Sequence, residues 1–171
     1  MMEKREVISA LGSKTTLQLL KLHSDIMNEL RRREIVRTSN NPTGDYAETL
    51  FQKAFNWTLE RNSSSGHDAT NKEGDRYQIK GRRMNSNKPS RQLGVIRNLE
   101  SKKFDYLAGV LFNEDYSVHR AIVIPQKQLL EMKSRFSKYV NGQIFYLHDD
   151  TWKIAGVEDV TSKLRHAAMK L

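Results

Sequence analysis

An aspartate, a glutamine and a lysine lie close together in the middle of this sequence of 171 residues. Asp68 belongs to one short segment, and Gln78 and Lys80 are two positions apart in the next. If these segments are neighbouring strands, Gln78 and Lys80 project to the same side, where Asp68 can meet them. Carboxylate and amide oxygens suit Mg²⁺, which keeps several waters in protein sites. Such an ion can activate water and stabilise charge on a phosphodiester, while a nearby lysine positions the attacking water.

The hairpin that would position these side chains is indicated by the residues between them. Residues 66–70 and 76–80 have strand-like patterns, and residues 71–75 contain Gly74 where a hairpin turn can use it. Asp75, next to Gly74, is therefore interpreted as a turn residue and not as a metal ligand.

Apolar periodicity predicts the elements around this hairpin. Helices are predicted over residues 14–36 and 43–56, from Pro125 onward and over residues 158–169, and strands over residues 58–61, 104–112, 118–124 and 143–147. The order predicts a mixed α/β domain in which helices pack on a central sheet. The aromatic residues of the strand over residues 104–112 are expected in the core and not as stacking platforms for bases.

The length predicts one domain over residues 1–171, large enough for a single core. We divide it into an N-terminal helical extension over residues 1–40, a core over residues 42–125 and a completing helix-strand-helix segment over residues 126–171. No residue is cysteine, which excludes disulfide scaffolds, thiolate zinc sites and cysteine nucleophiles. Because secretory and membrane-spanning patterns are missing, we expect a soluble, cytoplasmic protein with no membrane partner.

Basic residues are concentrated in one stretch of the chain. The formal net charge is +9, and residues 72–103 contain ten lysines and arginines but three acidic residues. This asymmetry predicts a polyanionic partner that is contacted through its phosphates. The alternative is a solvated basic loop without a partner. The candidates for nucleic-acid contacts are Arg82, Arg83, Lys88, Arg91 and Arg97.

The combination of Asp68 with the Gln78-x-Lys80 element resembles the PD-(D/E)XK nuclease superfamily, and the similarity extends over residues 42–83, with a continuation to residue 125. The resemblance implies a restriction-endonuclease-like fold, with a central mixed β-sheet flanked by α-helices. It also implies a Mg²⁺-dependent endonuclease of the type II restriction class that cuts double-stranded DNA. One departure is that Gln78 replaces the Glu or Asp common in the superfamily, which removes one negative charge from the metal site.

The resemblance implies a role for each residue of the motif. Asp68 would bind Mg²⁺ directly, Gln78 would contribute its side-chain oxygen and Ile79 its carbonyl. Glu48, on the preceding helix, would act through a water on the metal or through a second metal. Lys80 would orient the attacking water. Because two cuts in duplex DNA need two active sites, a homodimer is expected, with the N-terminal helix as a candidate contact.

Several alternatives stay open at this point. Glu48 follows Asp45 in a pattern that is also typical of a helix cap, with Thr43 as an N-cap candidate. Asp68 could simply end a strand, and Lys80 could belong only to the basic loop. For the whole chain, the alternatives are a nucleic-acid-binding protein on the same fold with weak or lost catalysis, and a nuclease for RNA or branched DNA.

Overall fold

The computed structural model describes residues 4–60, 66–87, 89–97, 99–132 and 134–171, with side chains from residue 8 onward. The chain forms two units, Met1–Asn40 and Asn41–Leu171. No helix in the described ranges combines the length and the apolar character that crossing a bilayer requires.

The first unit contains two helices, α1 (Lys4–Gly12) and α2 (Thr16–Arg32). Thr15 and Gln18 cap the start of α2 reciprocally, because each side chain bonds the backbone N–H of the other. The prediction of a helix over residues 14–36 is confirmed for α2, although the helix ends earlier and Glu34 adopts a left-handed φ of 58°. The separate helix α1 was not predicted.

The second unit is built on a six-stranded sheet with the order β1-β2-β3-β4-β5-β8. Neighbouring strands are antiparallel except β3 and β4, which are parallel. A separate hairpin pairs β6 with β7. The strands are β1 (Thr58–Leu59), β2 (Ala69–Thr70), β3 (Arg76–Arg83), β4 (Tyr106–Phe112), β5 (Val118–Pro125), β6 (Arg135–Ser137), β7 (Gly142–Ile144) and β8 (Glu158–Asp159).

Two apolar clusters cover the two faces of this sheet. On one face, helix α3 (Thr43–Phe55) packs against Tyr77 and Ile79 of β3, and helix α5 (Thr161–Ala168) packs against β5 and α3. On the other face, helix α4 (Gln126–Glu131) and irregular segments pack against Leu107 of β4. The α/β class with helices flanking a central mixed sheet is therefore confirmed.

The parallel pair β3 and β4 requires a crossover, which residues 84–105 provide, and the described part of this segment contains no α-helix. Its ordered elements are a 3₁₀ helix at Leu99–Ser101 and single bridges from Gln92 to Tyr146 and from Ile96 to Gln143. Leu93, Ile96 and Leu99 are buried in the second cluster. The stretch that we interpreted as a basic loop thus also supplies part of the core.

Helix α3 approaches β3 most closely at Gly81. A Cβ atom at Gly81 would lie 2.9 Å from Ala47 Cβ and 2.9 Å from the Thr43 carbonyl oxygen, both in α3. Such distances are shorter than real Cβ contacts, so only glycine permits this helix-to-strand spacing.

The structure corrects several predicted boundaries. The strand predicted over residues 66–70 is limited to β2, and β7 covers only the start of the one predicted over residues 143–147. The helix predicted from residue 158 was wrong at its start, because Glu158 and Asp159 pair with β5 before α5 begins. Thr43 is the first residue of α3 and not its N-cap, which is Pro42. The turn role of Asp75 is confirmed, since its carboxylate accepts a 2.8 Å bond from Asn71 Nδ2.

Candidate functional site

Asp68 and Gln78 are brought into direct contact by the β2–β3 hairpin. The ladder pairs Ala69 with Tyr77, and the next bond runs from Asp68 N to the Tyr77 carbonyl at 2.8 Å. Asp68 Oδ2 then accepts a hydrogen bond from Gln78 Nε2 and a 2.6 Å bond from Ile79 N. The Asp68 carboxylate thus takes the place of a backbone acceptor where β2 and β3 separate, and the two hydrogen bonds from Gln78 Nε2 and Ile79 N fix its position.

Lys80 lies on the same face of β3 as Gln78, because side chains alternate along a strand. Its partner in the parallel register is Gly109 of β4, which presents no side chain beside it. The crossover passes over Lys80, whose Cδ would lie 3.5 Å from a Cβ atom at Gly94. Lys80 is half-buried, so its apolar stem is partly covered by neighbouring residues, and it lies two positions beyond Gln78 on the same face of β3.

Glu48 occupies a different position with respect to this strand. It is half-buried on α3, next to Ala47, and α3 packs on the face of β3 that carries Tyr77, Ile79 and Gly81. Gln78 and Lys80 belong to the opposite face. The structure therefore assembles Asp68, Gln78 and Lys80 on one side of β3 and places the helix of Glu48 on the other.

The donors around Asp68 suit a hard cation. The candidate metal ligands are the Asp68 carboxylate, the Gln78 amide oxygen and the Ile79 carbonyl. Mg²⁺ is commonly held by one or two carboxylates together with waters and substrate oxygens. Among the residues that the structure describes, no group of three or more histidine, aspartate or glutamate side chains could enclose an ion. The residues thus fit a weakly held, water-rich Mg²⁺ and do not form a dedicated metal cage.

The candidate nucleic-acid contacts differ in their surroundings. Arg83 Nε donates to the Glu114 carbonyl at 2.8 Å, and its guanidinium lies 4.8 Å from the centre of the Tyr116 ring. Arg91 pairs with Asp149 at 2.6 Å, and the exposed Arg97 donates to the Val140 carbonyl at 3.2 Å. Lys88 lies outside the described residues.

Arg82 differs from these arginines because its Nε atom is buried and finds no acceptor within the described chain. It belongs to the same face of β3 as Gln78 and Lys80, two positions beyond the lysine. Together with Arg83, it lines a cleft of about 450 Å³ at the end of β3.

Positive charge near the sheet affects its ionisable neighbours. Burial lowers the pKa of His119, and the charges of Arg91, Arg120 and Arg165 act in the same direction. The hydrogen bond from Arg91 lowers the pKa of Asp149. The hydrogen bond from Arg76 likewise lowers the pKa of Asp105, directly before β4. Part of the basic excess is therefore neutralised in local pairs.

Sequence reasoning missed the contribution of the β4–β5 turn to the arginine-lined cleft. The sequence predicts only a connection there between the strands over residues 104–112 and 118–124, yet Glu114 and Tyr116 hold Arg83 through the contacts described above. A signal existed in the sequence, because Tyr116 directly follows this connection and an aromatic ring is a suitable partner for an arginine.

Neither a scan against protein-family models nor a search of curated proteins found a match for this chain.

Proposed function

We propose that this protein is a Mg²⁺-dependent DNA endonuclease of the type II class, with a restriction-endonuclease-like fold and double-stranded DNA as its substrate. The proposal depends above all on one observation, the contact of Asp68 with Gln78 and Ile79 N beside Lys80. A central mixed β-sheet flanked by α-helices is the arrangement that the superfamily resemblance implies. The basic crossover next to this site supplies the positive surface that a nucleic acid needs.

In this proposal each side chain acts from its observed position. Asp68, Gln78 and the Ile79 carbonyl would hold Mg²⁺, which supplies Lewis-acid stabilisation of charge on the phosphate. Lys80 orients a water for attack on the phosphorus and stabilises the negative charge that develops there. Glu48 is given no step here, because α3 packs on the other side of β3. The bond between phosphorus and the leaving oxygen then breaks, and hydrolysis gives a phosphate end and a hydroxyl end.

The direct test is cleavage by the purified protein. Supercoiled plasmid and linear phage DNA are incubated with Mg²⁺ or with a chelator, and single-stranded RNA and branched DNA serve as further substrates. We expect Mg²⁺-dependent nicking or linearisation of the plasmid. Cleavage that persists in chelator would overturn the metal requirement, and cleavage of RNA or branched DNA alone would change the substrate class.

Gln78 offers a test of the metal site that does not rely on activity. In Gln78→Glu a second carboxylate would lie against Asp68, and like charges at this distance repel unless a cation or proton intervenes. We expect this variant to melt at lower temperature than the wild type in chelator and to gain more stability from Mg²⁺. Its activity should reach half-maximum at lower Mg²⁺.

Gln78→Ala is the companion variant, because it removes a ligand oxygen without adding charge. We expect its activity to need more Mg²⁺ for half-maximum. If wild type, Gln78→Glu and Gln78→Ala reach half-maximal activity at the same Mg²⁺ concentration, Gln78 does not bind the metal.

DNA binding should depend on salt, because each phosphate contact releases counterions. Replacing Arg82 and Arg83 together by glutamine should weaken binding and flatten the slope of log affinity against log salt by about one to two. The matched control is Lys127→Gln with Arg135→Gln, which removes the same charge from two exposed residues outside the cleft. Equal slopes in the two double variants would place the DNA surface elsewhere.

A second function is favoured by the way Asp68 is bonded. Its Oδ2 atom already accepts from Gln78 Nε2 and Ile79 N, which reduces its capacity for a metal. A nucleic-acid-binding protein with weak or lost catalysis on the same fold would retain the basic surface and this hydrogen-bonded hairpin. Salt-dependent DNA binding without Mg²⁺-dependent cleavage would support that function.

We also propose a homodimer, because two cuts in duplex DNA need two active sites. The first unit exposes large apolar side chains that suit a helical contact with a second copy: Ile8, Leu11, Leu17, Leu19, Leu20 and Ile26. Sedimentation of the wild type and of Leu20→Glu tests the contact. A wild type that stays monomeric at micromolar concentration would overturn it.

A further inference from the structure

We propose that the cleft at the end of β3 is a phosphate-binding site. It is formed by the start of α3, the last residues of β3 and the β4–β5 turn, and its volume of about 450 Å³ exceeds that of one phosphate group. The side chains that matter for the argument are Arg82, Arg83, Asn41, Asn85 and Glu114.

Arg82 provides the first reason to expect an anion. Its Nε atom is inaccessible to solvent and has no acceptor among the described residues. A buried N–H of a charged group without an acceptor is unfavourable, and such groups in native proteins usually have a partner. Because Arg82 lines the cleft, an oxyanion bound there could accept this hydrogen bond once the guanidinium turns toward it.

The other polar groups of the cleft are arranged as donors. Asn41 uses its amide oxygen to accept from Thr43 N and Thr43 Oγ1, and Asn85 uses its own to accept from Asn87 N. The NH₂ groups are therefore the parts of these asparagines that can serve a ligand. Arg83 is held in place by the Glu114 carbonyl and the Tyr116 ring, so its guanidinium is ordered before a ligand arrives.

One acidic side chain opposes an anion in this cleft. Glu114 lines it, and its carboxylate accepts a hydrogen bond from Ser86 Oγ. Two guanidinium groups against one carboxylate leave a net positive charge. Several donors from different directions match a phosphate, which offers more acceptor oxygens than a carboxylate does.

The phosphate could come from an internal position of a DNA strand or from a free or terminal phosphate. The assignment of this phosphate to a DNA strand rests on the proposed function. It is made because Arg82 lies two positions beyond Lys80 on the same face of β3, about 7 Å along the strand. The binding of the anion itself does not depend on catalysis.

Binding is measured in chelator, where Mg²⁺-dependent cleavage is absent. The probes are inorganic phosphate, a deoxynucleoside 5′-monophosphate and a single-stranded oligonucleotide without terminal phosphate, each titrated by calorimetry. We expect Arg82→Gln to weaken phosphate binding at least tenfold. Arg135→Gln, an exposed arginine outside the cleft, is the matched control and should leave the affinity unchanged.

Glu114→Gln keeps an acceptor for Ser86 and removes the opposing charge, so it should tighten phosphate binding several-fold. This variant decides the question if Arg82→Gln does not fold. An effect of Arg82→Gln on the oligonucleotide supports an internal phosphate, and an effect limited to the two small probes supports a free or terminal one. Absence of binding to the wild type, or affinities that neither cleft variant changes, would overturn the proposal.

The outcomes separate this site from the proposed function. If phosphate binding depends on Arg82 but the protein does not cut DNA with Mg²⁺, the phosphate site is supported and the nuclease proposal is excluded. If the protein cuts DNA but neither Arg82→Gln nor Glu114→Gln changes its phosphate affinity, the nuclease proposal is supported and the phosphate site is excluded.

Discussion

Lys80→Met is expected to reduce Mg²⁺-dependent DNA cleavage by about 10²–10⁴-fold, the usual contribution of one positioned group in proton transfer and charge stabilisation. Methionine keeps the apolar stem that lies against the crossover near Gly94 and removes only the ammonium group. Asp68→Asn should have an effect of similar size. Its side-chain oxygen can still accept from Ile79 N, so the hairpin should be retained.

The matched controls are Lys127→Met, an exposed lysine outside residues 72–103, and Asp150→Asn, whose side chain is 86% exposed. Cleavage rates are measured with supercoiled plasmid, and DNA affinity is measured in chelator by titration. We expect the affinity for DNA to change little, because the other basic residues of the stretch 72–103 would supply it. A near wild-type cleavage rate in Lys80→Met or Asp68→Asn would mean that the active site has been assigned wrongly.

Gly81→Ala is expected to destabilise the second unit by about 1–3 kcal/mol, the usual effect of adding a methyl group to a tightly packed position. The new Cβ would lie 2.9 Å from the Ala47 Cβ and from the Thr43 carbonyl oxygen, so α3 must move away from β3. Thermal unfolding measures the change, at about 2–4 °C for each kcal/mol in a domain of this size.

Gly44→Ala is the matched control in the same helix. A Cβ atom at Gly44 meets nothing within 4 Å, and alanine favours helix more than glycine does. We expect its melting temperature to equal or exceed that of the wild type. A Gly81→Ala variant as stable as Gly44→Ala would show that α3 can shift without loss of packing.

The β2–β3 hairpin could be predicted from sequence because its information is local. Asn71, Gly74 and Asp75 specify the turn, and alternation along β3 then puts Gln78 and Lys80 on one face. The contact between Asp68 and Gln78 follows from the register of that turn. These features need only neighbouring residues, so no knowledge of the tertiary packing was required.

The side of the sheet on which α3 packs could not be predicted in the same way. Its stripe of Ala47, Leu50 and Phe51 shows that the helix is buried, but β4 is buried on both faces and does not indicate which one receives it. The position of Glu48 relative to Asp68 depends on that choice. The burial of Leu93, Ile96 and Leu99 likewise depends on distant partners, such as Phe145 and Leu147.

The crossover between β3 and β4 has a consequence for how the protein folds. Asp68, Gln78 and Lys80 all precede it, whereas Gly109, which pairs with Lys80, follows it. Because the chain is synthesised from its N-terminus, the complete motif emerges from the ribosome before the strand that must lie beside it. Closing this long connection requires pairing between residues far apart in sequence, which slows folding. A nascent chain that ends before β4 would therefore carry the whole motif without an assembled site.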